Sequence, residues 1–567
     1  MPKSPTKRFA LGVDFGTNSV RALIVDVADG AEVGTCVYDY PSGRDGILLD
    51  PKNPNLARQN PADYIAGFRE SVGGAVRAAK RKRGFRVENV VGIGIDTTGS
   101  TPLPVDRSGM PLALQSEFKN DLAAHAWLWK DHTAHAEAAQ ITEAARKSRA
   151  GYLNRCGGAY SSEWYWSKIL HCKRASPKVF SAAHAWVELA DFIPALVTGN
   201  LDPDRLPRGI CAAGHKAMYS DSWGGLPSKR FLARLDPDLA LLRDRYAPKA
   251  VPSSRKAGRL TAEFAGSVGL PPAIPVAVGA LDAHLGAVGA GIKPGSLVKI
   301  MGTSTCDMMV VPVRDNLPEV PGLCGIVPGS IVPGMWGLEA GQSAVGDIFN
   351  WFVTHLAPKQ YTAGGDPHGN LTQAAVRLKP GQSGLLALDW NNGNRSVLVD
   401  PLLTGLLIGQ TLHTTAPEVY RALVEATAFG ALTIIRRIEE TGIAVKEVIN
   451  CGGIAEKNPF VMQIYADVCN RPMKISRSAQ SCALGATIFG AVVGGAYKTT
   501  QQAQRQMSGV KPKAYRPSKA AAGVYAELYG LYRTLHDAFG TSRFRGALYG
   551  VMKELIVVRD RVRRGRP

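Results

Sequence analysis

Two stretches of this chain share one pattern of apolar and polar positions. Near the start, Leu11-Gly12-Val13-Asp14-Phe15 leads into Gly16-Thr17-Asn18 and then Val20-Arg21-Ala22-Leu23-Ile24-Val25-Asp26. Past the middle, Val298-Lys299-Ile300-Met301 leads into Gly302-Thr303-Ser304-Thr305 and then Asp307-Met308-Met309-Val310-Val311. Each reads as an apolar strand, a tight Gly-Thr turn and a second apolar strand. The first copy predicts strands at about 8–15, 18–26 and 31–38, with Asp29-Gly30 as the second hairpin connection. The second predicts strands at about 296–301 and 306–312.

The segments after the two copies are also alike. A helix is expected from about Pro61 to Arg83, ending before Gly84. The run Val90-Val91-Gly92-Ile93-Gly94-Ile95 then suits a parallel strand covered on both faces, ending at Asp96-Thr97-Thr98-Gly99. In the second half a helix from about Pro417 to Thr441 stops at Gly442, and the strand Glu447-Val448-Ile449-Asn450 ends in Gly452-Gly453. This internal repeat predicts a duplicated α/β fold. Residues 115–260 read as a helix-rich insertion that shapes a substrate pocket, and Ala483 to Ala496 as a buried helix. The expected division is a first domain over 1–268, a second over 269–540 and a basic tail over 541–567.

Composition narrows the class. A chain of 567 residues is too long for one core, and 45% hydrophobic with 20% charged residues fits a soluble globular enzyme. The net charge of +20 concentrates at Lys3, Lys7 and Arg8, at Lys80-Arg81-Lys82-Arg83, and at Arg559, Arg561, Arg563, Arg564 and Arg566. A solvated helix end and frayed termini account for these runs better than a nucleic-acid surface does. Nine cysteines without a C-x-x-C pair argue against a disulfide framework or structural zinc, and point to a reducing, cytoplasmic setting. No secretory pattern or membrane span is expected.

Small residues at the two Gly-Thr turns let backbone N–H groups approach a phosphate. Gly452-Gly453 leaves a flat surface for a planar base, or is a plain strand-to-helix turn, with Asn458 as N-cap and Pro459 as first helical residue. Asp282, in Gly279-Ala280-Leu281-Asp282-Ala283-His284 after a strand over 274–278, is either a general base for a hydroxyl or the cap of the next helix. His284 reads as structural. Lys216 could donate to a polyol and Glu339 accept from one; the alternatives are a snorkelling lysine and a structural ion pair. Trp127, Trp129, Trp164 and Trp166 read as packing.

These segments together resemble the FGGY carbohydrate kinases, over nearly the whole chain. A narrower resemblance, to members that phosphorylate L-ribulose, is carried by Asp96-Thr97-Thr98-Gly99-Ser100-Thr101-Pro102, Trp129-Lys130-Asp131-His132-Thr133, Tyr160-Ser161-Ser162-Glu163-Trp164 and Ala213-Gly214-His215-Lys216. It continues in Ser222-Trp223-Gly224-Gly225-Leu226-Pro227, in 282–291, in 302–307 and in Gly337-Leu338-Glu339-Ala340-Gly341-Gln342-Ser343. The resemblance implies two actin-like, RNase H-like domains around a cleft, and ATP- and Mg2+-dependent conversion of L-ribulose to L-ribulose 5-phosphate. It implies Asp282 as catalytic base and as a sugar contact, with Lys216, Glu339 and the Thr98–Thr101 turn also at the sugar. Gly302, Thr303 and Ser304 would face the transferred phosphate. Gly16, Thr17 and Asn18 would form the first phosphate turn, Asp14 would reach the metal, and Gly452, Gly453 and Asn458 would meet the adenosine. Lys130, Asp131 and His132 receive no role. The expected partners are the sugar and ATP, with a homodimer as the candidate assembly and neither membrane nor nucleic acid. Another ketopentose or a pentitol, such as D-ribulose or xylulose, is the alternative substrate. A non-kinase actin-like protein that binds nucleotide or nucleic acid is the reading from another class.

Overall fold

In the computed structural model, residues 7–247, 249–313, 317 and 319–565 are described. Lys3 and Arg566, two of the basic residues at the chain ends, lie outside them.

The first sheet begins with β1 (Phe9–Phe15), β2 (Ser19–Asp26) and β3 (Glu32–Asp39), each antiparallel to the next. Helix α1 (Pro61–Lys80) forms for local reasons. The Asn60 side chain accepts from Ala62 N–H, Pro61 occupies the first turn, and Arg77 and Lys80 face the negative end of the dipole. Its apolar stripe, Tyr64, Phe68, Val72 and Val76, is buried against the sheet side of the domain. Strand β4 (Val90–Thr97) then pairs parallel to β1.

The sheet closes with residues from much further along. Pro275–Ala277 and Ala280–Leu281 both pair parallel with β4, at Val276↔Ile93 and at Ala280↔Asp96 and Leu281↔Thr97. The division therefore does not fall at 268/269. The chain leaves the first sheet only at α2 (Asp282–Gly289), because the apolar segment 274–281 is needed to cover the β4 edge.

The second sheet is built alike. β5 (Ser296–Met301) turns through Gly302–Ser304 into antiparallel β6 (Thr305–Pro312), which pairs with β7 (Met335–Ala340). After α3 (Ala416–Glu439), β8 (Glu447–Cys451) pairs parallel to β5, as β4 does to β1. Thr415 and Glu418 form a reciprocal cap at the start of α3.

Helix α4 (Ser481–Val493) decides how the halves meet. In sequence it stands between two strands of the second sheet, Met473–Ser476 and Val510–Tyr515, but it lies on the first. A Cβ at Gly12, Gly92 or Gly94 would sit 2.0, 2.0 or 1.8 Å from the carbonyl oxygens of Ala483, Gly490 and Ala486. Only side-chain-free strand positions admit a helix backbone this closely. In turn α2 leaves the first sheet and reaches Ile300 of β5. One apolar cluster thus holds residues of both sheets, including Ala10, Leu23, Leu285, Val298, Ile449 and Leu484.

One expectation changes. The end of the chain is not a frayed tail: after α5 (Lys519–Gly540), α6 (Val551–Arg563) buries Val551, Leu555, Val558 and Val562 in the second core. The insertion is a core of its own, centred on Trp127, Trp166 and Trp186. Asp131 is fully buried there, pairing with Arg58 and accepting from Ala57 N–H at 2.9 Å, so it is a structural anchor. All nine cysteines are free thiols, and no helix among the described residues is long and apolar enough to cross a membrane.

Candidate active site

The parallel strands β1, β4 and 280–281 end side by side, and each end carries an aspartate. Asp14 and Asp96 are register partners, and Asp282 starts α2 directly after Leu281. Burial pushes all three carboxyls up. Asp14 is raised by burial against lowering contacts from Asp96 and Arg21. Asp96 is raised well above the usual range by burial and by Asp14 and Asp282. Asp282 is pushed up to about 7, first by burial, then by Asp14, although Ala283 N–H donates to it at 2.6 Å. That bond is to its own neighbour, so the carboxylate remains free to take another proton.

Lys216 and Glu339 come from different elements: Lys216 from the end of helix Ile210–Lys216, Glu339 from β7. The ammonium lies 3.0 and 3.1 Å from the two carboxylate oxygens, with both residues buried. Burial would discharge each, but each holds the other charged: Lys216 is raised and Glu339 lies well below its ordinary value. Trp164, read as packing, lies under the ammonium at 5.6 Å from its ring centre.

Two histidines join them. His215 Nδ1 is 3.1 Å and His284 Nε2 3.5 Å from the same Glu339 oxygen. The Ser330 hydroxyl donates to Val327 O at 3.0 Å, so its 3.1 Å contact with His215 Nε2 makes that nitrogen the donor. The His215 nitrogen facing Glu339 is then bare in the neutral ring, and burial lowers the pKa of both histidines. Neither His284 nitrogen has a partner among the described residues. His284, expected to be structural, therefore faces the Lys216–Glu339 pair with unused bonding capacity.

The Thr98–Thr101 turn is gripped from behind. Thr98 Oγ1 and Thr101 Oγ1 are 2.9 Å apart, and Glu188 accepts from Thr101 N–H at 2.9 Å and from the Ser100 hydroxyl. The buried Lys168 ammonium donates to Ser100 O, Trp127 O and Leu128 O at 2.9, 3.1 and 2.9 Å. Burial lowers its pKa to about 8 against the pull of Asp131 and Glu188. Neither Lys168 nor Glu188 stands out in the sequence, because nothing local tells a buried lysine from a surface one.

In the first glycine turn, Thr17 Oγ1 accepts from Trp129 Nε1 at 3.0 Å and Thr17 O from Gln59 Nε2 at 2.7 Å. The Asn18 amide is spent on Asp45 O at 2.6 Å. In the second, Gly302 N–H donates to Ser304 O at 2.9 Å, and Thr303 O accepts from Val345 and Asp347 N–H. Space beside Gly302 and Gly453 is open: a Cβ on the first would meet nothing nearer than 3.9 Å, on the second nothing within 4 Å. Gly452, at φ +95°, lies against Met301 O, which ties it to the β5 turn. Asn458 caps Pro459–Cys469 by accepting from Val461 N–H at 3.2 Å. The structure thus places Asp282 in charge contact with Asp14, Lys216 and Glu339, and Gly302–Ser304 with Gly452 at the second sheet.

Paired sheets of one design, a carboxylate at the head of a helix between them, and a glycine turn on each side define a two-domain phosphotransferase of the actin-like α/β class. The chain belongs to the FGGY family of carbohydrate kinases: residues 9–289 match its N-terminal domain and 297–493 its C-terminal domain. The N-terminal match ends at α2, where the strand pairing also places the division. The chain is 42% identical to a ribulokinase of Geobacillus thermodenitrificans over 551 residues, 94% of this chain and 95% of that one. It is 41% identical over 572 residues to a ribulokinase of Mycolicibacterium smegmatis, 98% and 97% of the two chains. Among solved structures it is similar in fold to xylulose kinase from Rhodospirillum rubrum, with a TM-score of 0.74 and 24% identity over 94% of this chain and 100% of that one. The protein is a phosphotransferase that uses ATP with Mg2+. The carboxylates of Asp14 and Asp96 fit that ion: they are hard oxygen donors, and Asp96 has no hydrogen-bond partner among the described residues.

Proposed function

We propose that this chain phosphorylates L-ribulose with ATP, forming L-ribulose 5-phosphate and ADP in the use of L-arabinose. The observation that carries it is the buried Lys216–Glu339 pair within charge contact of Asp282, in a chain similar to ribulokinases along its whole length. A sugar brings several hydroxyls into a dry site, and each one left unpaired costs about 1–3 kcal/mol. Lys216 supplies donors, Glu339 accepts, and the free nitrogens of His284 add one of each kind.

Asp282 takes the proton of the terminal sugar hydroxyl as its oxygen attacks the γ-phosphorus. A carboxyl pushed up to about 7 is a far better proton acceptor than an exposed aspartate. With Gly302 N–H closing the turn onto Ser304 O, the backbone N–H groups of Thr303 and Ser304 stabilise charge on the moving phosphoryl group, and Gly452, Gly453 and Asn458 receive the adenosine. Mg2+, when bound, neutralises charge on the phosphates, with Asp14 as its protein ligand. The nine free thiols support a cytoplasmic setting.

Coupled ADP release across ketopentoses and pentitols tests the reading. L-Ribulose should give the highest kcat/KM. Preference for D-ribulose, xylulose or a pentitol would replace the substrate, and ATP turnover indifferent to every sugar would remove the kinase.

A further inference from the structure

Asp96 has no task in the reaction described for Asp282 and Asp14. It is fully buried, and neither carboxyl oxygen has a hydrogen-bond partner among the described residues. It stands at the end of β4 opposite Asp14, and the two carboxyl groups come within hydrogen-bonding reach of each other. Asp282 adds a third negative neighbour. Arg21, opposite Asp14 on β2, is the cation that acts on both Asp14 and Asp96, and only through space.

Burying a carboxylate without donors is costly, and placing it against a second one adds repulsion. Asparagine has the same shape, no charge, and an amide that could donate to Asp14. For the resting fold alone, asparagine would be the better residue at 96. An acid is favoured there only if something positive enters between the two carboxylates. Carboxylate oxygens are hard donors suited to a magnesium ion, which needs one or two of them beside the phosphates.

We propose that Asp96 is the second carboxylate of the magnesium seat, sharing with Asp14 the ion that accompanies ATP; this rests on the kinase reading under Proposed function. Both ligands then hang from neighbouring strands of one sheet. The position of the ion relative to Asp282 is set by the first domain's strand ends rather than by the nucleotide alone. The rival is a proton shared between the two carboxyls, which asks for no metal.

The test uses the full chain without sugar. Protein-bound Mn2+ is measured by electron paramagnetic resonance with ADP saturating, and thermal midpoints are recorded with and without MgCl2. Asp96→Asn should weaken Mn2+ binding by roughly 10–100-fold, the scale seen when a metal site loses a supporting group. The same variant should melt higher than wild type without metal, since the repulsion is gone, yet gain less from added Mg2+. Asp96→Ser, which removes the carboxylate and leaves room for water, should lose Mn2+ affinity equally. An Mn2+ affinity equal to wild type in either variant, or no Mn2+ bound by the wild type, overturns the proposal. So does an Asp96→Asn protein that melts lower without metal but keeps the full Mg2+ increment. The sugar panel fails or succeeds independently, because no sugar enters these measurements.

Discussion

Asp282 owes its basicity to place rather than to partners. Its one hydrogen bond among the described residues comes from the next residue's N–H, while burial and Asp14 raise it. Asp282→Asn should lower kcat by ~10²–10⁴, the usual worth of a positioned base, while L-ribulose titrated by intrinsic tryptophan fluorescence still binds. An unchanged kcat removes it from the role. Lys168 acts at a distance, through the three carbonyls it holds. Lys168→Met strips this donor from Ser100 O and Trp127 O, while Leu128 O keeps Asp131 N–H at 2.9 Å, and each buried unpaired group costs about 1–3 kcal/mol. Urea unfolding should show a loss of several kcal/mol, and the KM for sugar should rise more than the KM for ATP, because Ser100 belongs to the turn placed at the sugar. Asp14, Asp282, Lys216 and Glu339 are legible in the sequence because they stand in the motifs that carry the family resemblance. Asp96 and His284 stand in the same motifs but show no local sign of their task. A buried acid is recognised by what surrounds it, and its surroundings come from other strands.

At the scale of elements, the two glycine hairpins are legible to within a residue or so, since continuous apolar runs bounded by glycine turns admit little else. Helix α4 is legible as buried, but not the surface it covers. That surface is written in Gly12, Gly92 and Gly94, whose purpose appears only when the helix arrives. Gly94→Ala puts a methyl 1.8 Å from Ala486 O, where backbone must shift. Overpacking of this kind costs about 1–3 kcal/mol or more, and a lowered thermal midpoint with reduced kcat is expected, since α4 also touches α2. Helix α6 is hidden in the sequence because its arginines outweigh its apolar spacing. Val551, Leu555, Val558 and Val562 recur at helical intervals and are buried. A chain ending at Thr541 uncovers the surface they occupy. It should melt earlier and associate in light scattering; an unchanged midpoint would restore the frayed tail.

For the molecule as a whole, the halves are interlocked rather than merely linked, since each lends a helix to the other's side. The close α2–α4 contact, with Gly485 against Leu285 O and Gly289 against Ser481 O, joins the halves on the helix that Asp282 begins. The net charge of +20 belongs to this scale too, because it acts as a field. ATP is strongly anionic and the sugar neutral. Raising salt from low to physiological strength, where screening sets in within about 10 Å, should therefore lower kcat/KM for ATP and leave that for L-ribulose nearly unmoved. Equal loss for both substrates would deny the charge any part in nucleotide capture.

The amino-acid order by itself determined the strands, their glycine turns, the repeat and the family, since these depend on neighbours a few residues apart. The tertiary structure alone decided that 274–281 belongs with the first sheet, that α4 crosses to it, and that Asp14, Asp96 and Asp282 converge. Those facts arise where segments 82 residues apart, as Asp14 and Asp96 are, or several hundred apart are brought into register by burying apolar surface. A charge acquires its meaning only from what that burial places beside it.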